Sequence, residues 1–384
     1  MNAIFLYVPT SRSGVARYAC ELAIALNQNG TRLTLIVPVD YEFMHNANSA
    51  EVITRHVCQI GGKTKVAVLF SMIRQMLQVS AILLGAGGLR TSISVHLVSS
   101  YRPLLQTIFH LLLRVCGVSI FFTVHDILPH DVLGGKRSKG WARLSQSLVY
   151  RSAQRLHVHT KIQLDQLVQD FGINPSRIVL IPHGVACVES FSSPLARDHR
   201  NLLVLGSLRA NKQIVGVTRA VGCLSREGFG VHLSIRGAAS RTETSYLITL
   251  REVVSQHSNC VSLIEGFVTE SEFDTELRNS GAIVLAYRDF ASQSGVLLRA
   301  AQNGCFPICS SAVAGDTPIL DLLGIQISEP VEVEEISASL RQFLSLRQDQ
   351  RAKRLSSLRN WIQSNCGWPK VARSFAAWYV AELA

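Results

Sequence analysis

The sequence predicts an α/β protein built from two doubly wound domains of parallel strands. Its 384 residues suffice for two domains of ordinary size. Short apolar runs typical of buried strands alternate with longer segments of helical periodicity along almost the whole chain. The alternation is interrupted at residues 186–200, where a segment containing serine and proline loses its apolar periodicity. We interpret that segment as a linker between two domains.

The first series of predicted elements opens with a strand at 3–8 and a helix that ends before Gly30. A strand follows at LTLIVPV, and apolar helical sequence fills residues 66–89. The remaining predictions are a strand at 92–98, a helix at 103–115, a strand at 119–124, a helix at 138–153, a strand at 156–159, a helix at 161–171 and a strand at 178–181.

The second series begins after the predicted linker and ends in a helical tail at 333–384. Its predicted strands lie at 202–205, 231–235, 261–264 and 283–286. Its predicted helices lie at 214–226, 245–257, 270–280 and 296–301.

Composition and charge limit the possible functions. With 47% hydrophobic and 17% charged residues, the chain is typical of a folded globular protein and not of a disordered one. The net charge of +11 is uneven, because residues 1–195 hold 18 Lys and Arg against 9 Asp and Glu, whereas residues 196–384 hold 20 against 18. The first half is therefore predicted to face a phospholipid surface, a lipid diphosphate or a nucleic acid, although solubility alone would also favour such a charge.

Cysteine and membrane signals are weak. The nine cysteines are scattered without a CxxC pair, which predicts buried, reduced side chains and no structural zinc site. The first residues, MNAIFLYVPT, lack the features of a signal peptide. His110 and Arg114 interrupt the longest apolar run, 104–124, so a membrane span is not predicted there, while attachment to a membrane surface stays open.

The stretch from Ile283 to Ser310 combines a buried strand, a polar loop and an apolar helix. Ser294 stands where the N-cap of that helix is expected, and Gly295 lets a ligand approach the backbone. Because the unpaired N–H groups of a first helical turn attract anions, the stretch predicts a site for a group such as a diphosphate. An ordinary capped helix would show the same local pattern.

Two cations stand in the loop that follows the strand at 202–205. Arg209 and Lys212 lie three residues apart, immediately before the helix predicted at 214–226. Such a pair can bracket one diphosphate, and the helix dipole adds to its attraction. Solvated surface side chains remain the alternative.

His125 directly follows the strand predicted at 119–124. Ligands of a parallel sheet collect at the carboxyl ends of its strands, so this is a candidate site position, although a structural loop histidine would also fit. Ser13 and Gly14 open the first predicted helix, where the glycine could approach a ligand or simply form a tight turn.

In chain order, six segments resemble the GT-B glycosyltransferases, and specifically the retaining family 4. They are similar to the N-terminal glycine loop and helix, the histidine motif of the acceptor domain, the stretch before the linker, the donor phosphate loop, the nucleoside-side strands and the helix that receives the sugar nucleotide. The segments are SGVARYACELAIAL, TVHDILPHD, RSAQRLHVHTKIQLDQLVQDFGINPSRIVLIPHGV, LGSLRANK, IEGFVTESEFDTELRNSGAIVLAY and SGVLLRAAQNGCFPI.

The resemblance implies an α/β protein of the GT-B class, with two Rossmann-like domains facing an interdomain cleft. Residues 1–190 would bind the acceptor and residues 191–364 the nucleotide-sugar. The C-terminal helix, residues 365–384, would pack back toward the first domain.

The resemblance also implies roles for site residues. Arg209 and Lys212 would neutralise the donor diphosphate in place of a metal ion, and His125 would lie beside the transferred sugar. The leaving phosphate would accept the proton of the acceptor, so no protein nucleophile, metal or other cofactor is expected. Further donor contacts are expected from Gly14, Gly206, Glu265, Gly266, Phe267, Tyr287, Ser294, Gly295 and Val296, with Arg288 lining the same mouth.

Several features depart from the pattern that many family members share. The two glutamates of many members would fall at Ala291 and Arg299, so neither is present. The S-G-small-apolar pattern of another branch occurs instead at Ser294. Ser207 stands where many members have an arginine, whose role Arg209 could take. The donor nucleotide and the sugar contacts therefore stay open.

The chain is thus predicted to be a hexosyltransferase that uses a UDP- or GDP-sugar. The basic region around 137–155 and the apolar segments at 66–89 and 104–122 favour a glycan acceptor on a lipid diphosphate, as in bacterial surface or exopolysaccharide synthesis. We accordingly expect a cytoplasmic enzyme with peripheral contact at the inner face of the plasma membrane. The alternative is a degenerate, non-catalytic member that binds a partner or a glycan. A nucleic acid partner is not expected, because no recognition-helix motif is present.

Overall fold

The computed structural model describes residues 3–86, 93–98, 102–128, 136–187, 198–239, 243–290 and 292–383. Within them the strands are β1 (Ala3–Tyr7), β2 (Thr34–Pro38), β3 (Ile53–Val57), β4 (Ile93–Leu97), β5 (Ser119–Val124), β6 (Arg155–Val158), β7 (Ile178–Leu180), β8 (Asn201–Leu205), β9 (His232–Gly237), β10 (Val261–Glu265), β11 (Ala282–Leu285) and β12 (Phe306–Cys309). The helices are α1 (Gly14–Gln28), α2 (Met44–Ser49), α3 (Lys65–Gly85), α4 (Pro103–Val115), α5 (Lys136–Ser152), α6 (Lys161–Phe171), α7 (Ile214–Arg226), α8 (Thr244–Gln256), α9 (Glu270–Asn279), α10 (Gly295–Gln302), α11 (Ser311–Ala314), α12 (Ile319–Leu323), α13 (Val333–Ser345), α14 (Gln348–Cys366) and α15 (Trp368–Leu383).

The chain divides into two compact units. The N-terminal unit holds residues 1–184 together with 366–384, and the C-terminal unit holds residues 185–365. The sequence prediction placed these divisions at 190 and 364. Most of the predicted linker, residues 188–197, lies outside the described residues.

The N-terminal unit is a seven-stranded parallel sheet with helices on both faces. Its strand order is β3-β2-β1-β4-β5-β6-β7, so the winding reverses between β1 and β4. Alternate residues of β1 point to opposite faces, Leu6 into one apolar core and Phe5 and Tyr7 into the other. Helices α1, α2 and α15 cover the first core, whereas α3, α4, α5 and α6 cover the second. Both faces of the strands are therefore buried, as a parallel sheet requires.

The C-terminal unit is a five-stranded parallel sheet of order β10-β9-β8-β11-β12. Its winding reverses between β8 and β11, so the loops after these two neighbouring strands leave the same edge side by side. The two loops hold residues 206–213 and 286–294. They are the stretches from which the sequence predicted diphosphate contacts.

The sequence prediction missed two strands and left open whether residues 66–89 form one helix or two. Strand β3 was missed because it lies at the sheet edge with a largely exposed, polar sequence, ITRHV. Strand β12 was missed because Pro307 and Gly304 indicate a turn. Since β12 is the other sheet's edge strand, a residue without an N–H is tolerated there. Helix α3 forms one helix where one or two were predicted.

The cysteines are free, and five of them are buried. The prediction of buried thiols is wrong for Cys116 and Cys187, which are exposed.

Candidate active site

The two loops at the switch point of the C-terminal sheet are joined by backbone. The N–H of Arg288 donates to the carbonyl of Asn211 over 2.8 Å, which fixes the segment after β11 against the segment after β8. The loop after β8 closes in a 3₁₀ turn, Ala210–Lys212, just before α7. Lys212 and Tyr287 thereby come together, with the Nζ of Lys212 5.1 Å from the centre of the Tyr287 ring.

The ammonium group of Lys212 lacks a carboxylate partner among the described residues. Desolvation by burial, and secondarily the charge of Arg209, lower the pKa of Lys212 to about 7. A cation held in this way gains strongly when an anion arrives, because the anion offsets the desolvation cost.

Arg209 is the second half-buried cation of this loop. No ion pair of its guanidinium is found within the described part of the chain, whereas two nearby arginines are committed to carboxylates. Arg236 pairs with Glu276. Arg288 pairs with Glu332 at 2.6 Å and donates to the carbonyl of Val331. The charge of Arg288 is therefore already neutralised by Glu332, and its expected place at the ligand mouth stays a prediction.

Helix α10 begins at this site with the predicted cap. Ser294 is its N-cap, and the Ser294 hydroxyl accepts from the N–H of Leu297 over 3.2 Å. The backbone N–H groups of Gly295 and Val296 belong to the first turn and have no acceptor within the helix. Their positive dipole end therefore belongs to the connection after β11, the strand that pairs with β8, which precedes both cations.

Glycines form the backbone floor beside these cations. Gly206 has a φ of 99°, a conformation that favours glycine. A Cβ on Gly237 would stand 1.7 Å from the carbonyl oxygen of Gly206, so only glycine permits β8 and β9 to end this close together. Gly266 extends the row, since its N–H donates to the carbonyl of Gly237 over 2.9 Å.

The residues expected near the base have different environments. Glu265 forms a two-pronged ion pair with Arg251, at 2.6 and 2.7 Å, which lowers the pKa of the Glu265 carboxyl. Phe267 is 56% exposed, leaving its ring free to stack on a planar ligand. Their roles as donor contacts stay predictions.

In the N-terminal unit, His125 follows β5 as predicted. The side chain of Gln163 donates to the carbonyls of Val124 and His125 and accepts from the N–H of His159, so it fixes the ends of β5 and β6. The Nδ1 of His125 lies 3.2 Å from the Nε2 of His159. One histidine thus positions the other.

His125 and His159 lie in a group of aromatic side chains that also contains Tyr18 and His183. We call these four residues the histidine cluster. The Tyr18 ring lies 5.0 Å from that of His125 and 4.8 Å from that of His183. Burial lowers the pKa of all three histidines, that of His125 to about 4, so they are neutral at pH 7. Within the described residues, the Tyr18 hydroxyl, His125 Nε2 and His159 Nδ1 have no hydrogen-bond partner. Neutral groups of this kind can bind hydroxyls but not supply positive charge.

Gly14 begins α1 in the same unit, after the N-cap Ser13, whose hydroxyl accepts from the N–H of Ala16 over 3.0 Å. A Cβ built on Gly14 would meet no atom within 4 Å, so the space beside it is open. This agrees with a position that a ligand could approach.

Comparisons with known proteins identify the class. Residues 13–184 match the family described as "Glycosyl transferase 4-like domain". Among solved structures, HepE (Alr3699) of Anabaena in complex with UDP and glucose superposes with a TM-score of 0.73 at 12% identity, covering 99% of this chain and 100% of that one. The chain has the GT-B fold, and its residues 13–184 are similar to a glycosyl transferase 4-like domain. The resemblance to the family 4 type, the fold class and the enzyme class are thereby confirmed.

Two further solved structures share the fold of this chain. Sucrose-phosphate synthase (tll1590) of Thermosynechococcus elongatus has a TM-score of 0.75 at 13% identity, covering 100% of this chain and 99% of that one. WaaG, a glycosyltransferase involved in lipopolysaccharide biosynthesis, has a TM-score of 0.65 at 13% identity, covering 96% and 98%. No curated protein matches the chain by sequence.

Of the two positions expected to hold the family glutamates, only that of Arg299 has contacts that the structure describes. Ala291 lies outside the described residues. Arg299 points toward α9, where it binds Asp274 at 2.6 Å and Glu270 at 2.7 Å and stacks 4.3 Å over Phe273. Arg299 therefore fastens α10 to α9, and its charge is not available to a ligand.

Sequence reasoning missed part of the candidate site. Tyr18, His159, His183 and Gly237 were not predicted as site residues. A signal was present, since a histidine follows each of the neighbouring strands β5, β6 and β7 at the same sheet edge. Among the described residues no group of three or more His, Cys, Asp or Glu could hold a metal ion. The metal-independent reaction stays a prediction.

Proposed function

We propose that this enzyme transfers a hexose from a UDP- or GDP-sugar to a glycan acceptor, retaining the anomeric configuration and using no metal ion. The observation that carries the proposal is the pair Arg209 and Lys212. Two half-buried cations without a carboxylate partner in the described chain stand at a topological switch point, beside the start of α10. A diphosphate satisfies both cations and the N–H groups of that helix at once.

The donor class is supported by chemistry and by a relative. A nucleotide-sugar presents two negative phosphates between a base and a sugar, which matches a cationic loop flanked by a glycine floor and the exposed Phe267. HepE has been crystallised with UDP and with UDP-glucose. UDP-hexoses are therefore the first donors to test.

In the proposed reaction, positioning and electrostatics replace covalent catalysis. The bond between the anomeric carbon and the distal phosphate breaks, and the acceptor oxygen bonds to that carbon on the same face. The acceptor proton passes to the departing phosphate oxygen. Arg209, Lys212 and the first turn of α10 stabilise the negative charge that grows on the diphosphate. His125, neutral at pH 7, would accept or donate a hydrogen bond to a sugar hydroxyl.

The proposed acceptor is a glycan on a lipid diphosphate in bacterial surface or secreted polysaccharide synthesis, reached at the inner face of the plasma membrane. The excess of cations in the first half of the chain supports an anionic acceptor. The relation to WaaG, which is involved in lipopolysaccharide biosynthesis, supports a surface glycan.

The test is a transfer assay. The enzyme is incubated with UDP- and GDP-hexoses and a short-chain prenyl diphosphate sugar as acceptor, in the presence of excess chelator. We expect a glycosylated acceptor whose new bond has the anomeric configuration of the donor, measured by proton coupling in NMR. An inverted product, or turnover that stops on chelation and returns with a divalent cation, would contradict the mechanism.

The alternative of a non-catalytic partner makes a different prediction in the same assay. A degenerate member would bind a nucleotide-sugar or glycan without releasing nucleotide above background. The absent family glutamates motivate this alternative. Free UDP or GDP formed above background, in a reaction abolished by Lys212→Ala, would exclude it.

A further inference from the structure

Three helices of the N-terminal unit expose apolar side chains on the same side of the sheet. Helices α3, α4 and α5 pack their inner sides into the same core, which includes Met76, Phe109 and Val149. Their outer sides therefore all point away from that face of the sheet. We call the exposed apolar side chains of these helices the outer face, represented by Phe70, Leu77, Ile108, Leu112, Trp141 and Leu144.

Helix α3 is apolar on two different sides. Its inner side buries Met76, Val79 and Leu83. Its outer side exposes an apolar residue at each turn, at 66, 70, 73 and 77, of which Phe70 is 68% and Leu77 66% exposed. A surface helix in water normally has a polar outer side, so the second apolar stripe has no role in folding this unit.

Helices α4 and α5 continue the pattern. Helix α4 exposes Ile108, Leu112 and Val115, the last by 87%, although Phe109 and Leu113 already supply its core contacts. Helix α5 exposes Trp141, Leu144 and Leu148 at helical spacing. Isolated exposed apolar residues are common, but stripes on three helices of one face mark an interaction surface.

The charge around the α3 and α4 part of the outer face has one sign. Residues 52–125 contain seven Lys and Arg and not one Asp or Glu. Within the described chain, no acidic partner is found for Lys63, Lys65, Arg74 or Arg102, all of which are exposed. On α5 the charge is mixed, since Arg143 pairs with the exposed Asp170 at 2.7 Å. An apolar surface fringed mainly by cations is complementary to an apolar layer fringed by anions.

The cations also have a defined place in the fold. Lys63 and Lys65 stand at the beginning of α3, and Arg102 precedes α4. Both helices follow strands of the parallel sheet, so they begin at the carboxyl edge, where His125 also lies. A phosphate-bearing headgroup bound by these cations would lie at the ligand edge of the same unit.

We propose that the outer face docks this enzyme on an anionic phospholipid bilayer, with the apolar stripes of α3, α4 and α5 at the acyl boundary and the cations at the phosphates. A protein partner or a second copy is less well matched, because the fringe would require an equally long stretch of unpaired carboxylates. A second copy that presented the same face would bring only cations to the fringe of α3 and α4, because residues 52–125 contain no Asp or Glu. The proposal deepens the proposed function by naming the surface that meets the lipid of the acceptor.

Helix α3 lies on the bilayer in this proposal and does not cross it. By length and composition it is the one described helix that could cross a membrane, and 22% of its most apolar window is buried. Its centre is tied to the sheet, since Gln75 accepts from the Tyr7 hydroxyl over 2.6 Å and Met76 and Val79 pack in the core. Crossing would expose these groups to lipid and open the core.

The test measures binding of the full chain to vesicles, without donor or acceptor. We expect sedimentation with vesicles containing phosphatidylglycerol, weak sedimentation with pure phosphatidylcholine, and a loss of binding as salt is raised. The double variant Phe70→Ser/Leu77→Ser should lower the partition coefficient by about tenfold or more. Lys63→Glu/Lys65→Glu should lower it on anionic vesicles only.

One exposed valine and one exposed isoleucine, both outside the outer face, provide matched controls. Val380 is 71% exposed on α15, which covers the other face of the same sheet, and Ile248 is 50% exposed on α8. Val380→Ser and Ile248→Ser should bind vesicles like the wild type, and all variants should keep its unfolding midpoint.

Different results would contradict the docking proposal and the proposed function. Failure of the wild type to bind either vesicle, or equal loss in Val380→Ser, would overturn the proposal. A concentration-dependent dimer that Phe70→Ser/Leu77→Ser dissociates, without vesicle binding, would make the outer face a contact between copies instead. Nucleotide release with a soluble acceptor is assayed separately, so loss of that activity would contradict the proposed function and leave the docking result standing.

Discussion

Lys212 and Arg209 are the two residues whose charge the proposed chemistry needs most. Neither is neutralised by a carboxylate in the described chain, and burial lowers the pKa of Lys212 to about 7. Folding has therefore left these charges uncompensated, which costs stability and is repaid only when an anion binds.

We expect Lys212→Ala and Arg209→Ala each to lower kcat/KM by roughly 30-fold or more, because each removes a charge-assisted contact to the leaving diphosphate. This corresponds to a loss of at least about 2 kcal/mol in transition-state stabilisation. Steady-state kinetics with the preferred donor measure this loss. Arg347→Ala is the control, since Arg347 is exposed and pairs with Asp349. Unchanged kinetics in both site variants would mean that the diphosphate binds elsewhere.

His125 makes a separate prediction. Its neutral ring would contact the transferred sugar, so His125→Ala should lower kcat more than it weakens donor binding. Calorimetric donor titration beside turnover distinguishes the two quantities. Equal losses in both would indicate that His125 only binds.

Single residues show where sequence reasoning succeeds and where it ends. The cap Ser294 could be predicted because a cap depends on local sequence, and the structure confirms it. The ion pair between Arg288 and Glu332 could not be predicted, because 44 residues separate the two side chains and only the fold brings them together. The same holds for His159 beside His125, since strand pairing determines that contact.

Among the secondary-structure elements, α10 and α9 form the support of the donor loop. Arg299, 11% exposed, holds both Asp274 and Glu270 and also donates to the carbonyl of Glu270 over 3.0 Å. Asn303 adds a hydrogen bond to Asp274 over 3.1 Å. A glutamate at this position, as in many family members, would face two carboxylates, which explains why this helix carries the opposite charge.

Arg299→Ala should therefore destabilise the C-terminal unit by about 1–3 kcal/mol, because it removes the ion pairs that Asp274 and Glu270 make with the guanidinium. Arg299→Glu should destabilise it further by repulsion. Urea unfolding measures both effects. Arg341→Ala, which breaks only the exposed pair with Glu227, is the control and should have a much smaller effect. Equal stability of Arg299→Ala and the control would refute the role of Arg299 as a fastener.

The alternation of strands and helices was predictable because both sheets are parallel and buried, so each strand shows as an apolar run. The edge strands β3 and β12 could not be predicted in this way, because β3 has a polar sequence and β12 contains a proline. The exposed stripe of α3 was also hidden in the sequence, because an inner and an outer apolar side together are indistinguishable from a helix buried all round.

On the scale of the molecule, the last helix of the chain is part of the first unit. Helix α15 packs against α1 and β5, with Trp378 4.9 Å from Phe121. Below it a polar chain joins the Tyr379 hydroxyl, His96, Thr123 and His157, with links of 2.6, 2.6 and 3.0 Å. His157 Nε2 must donate to the carbonyl of Ile181, so each histidine is neutral with its proton on Nε2 and Tyr379 donates to His96.

Buried neutral histidines make the N-terminal unit sensitive to acid. Desolvation lowers the pKa of His110 and His157 to about 3 and that of His125 to about 4, from an unfolded value of about 6.5. Below pH 6.5 the unfolded chain binds protons that the folded unit excludes. Its stability should therefore fall as pH decreases from about 6.5 to about 4, and should not depend on these groups above 7.

Urea unfolding followed by tryptophan fluorescence between pH 7.5 and 5 measures this dependence. His110→Gln removes one buried imidazole outside the site and should reduce the slope, whereas His232→Gln, on an exposed position of β9, should not. A midpoint independent of pH over this range would show that the histidines are not buried as described.

The central claim is that the C-terminal unit binds the diphosphate of a nucleotide-sugar through Arg209, Lys212 and the start of α10. A thermal-shift screen of UDP-, GDP- and ADP-sugars tests it most directly, because a ligand that binds only the native state raises its unfolding temperature with occupancy. We predict that one nucleotide class raises the unfolding temperature of the wild type and that Lys212→Ala abolishes the shift. No shift with any of the three classes, or an equal shift in Lys212→Ala, would contradict the claim.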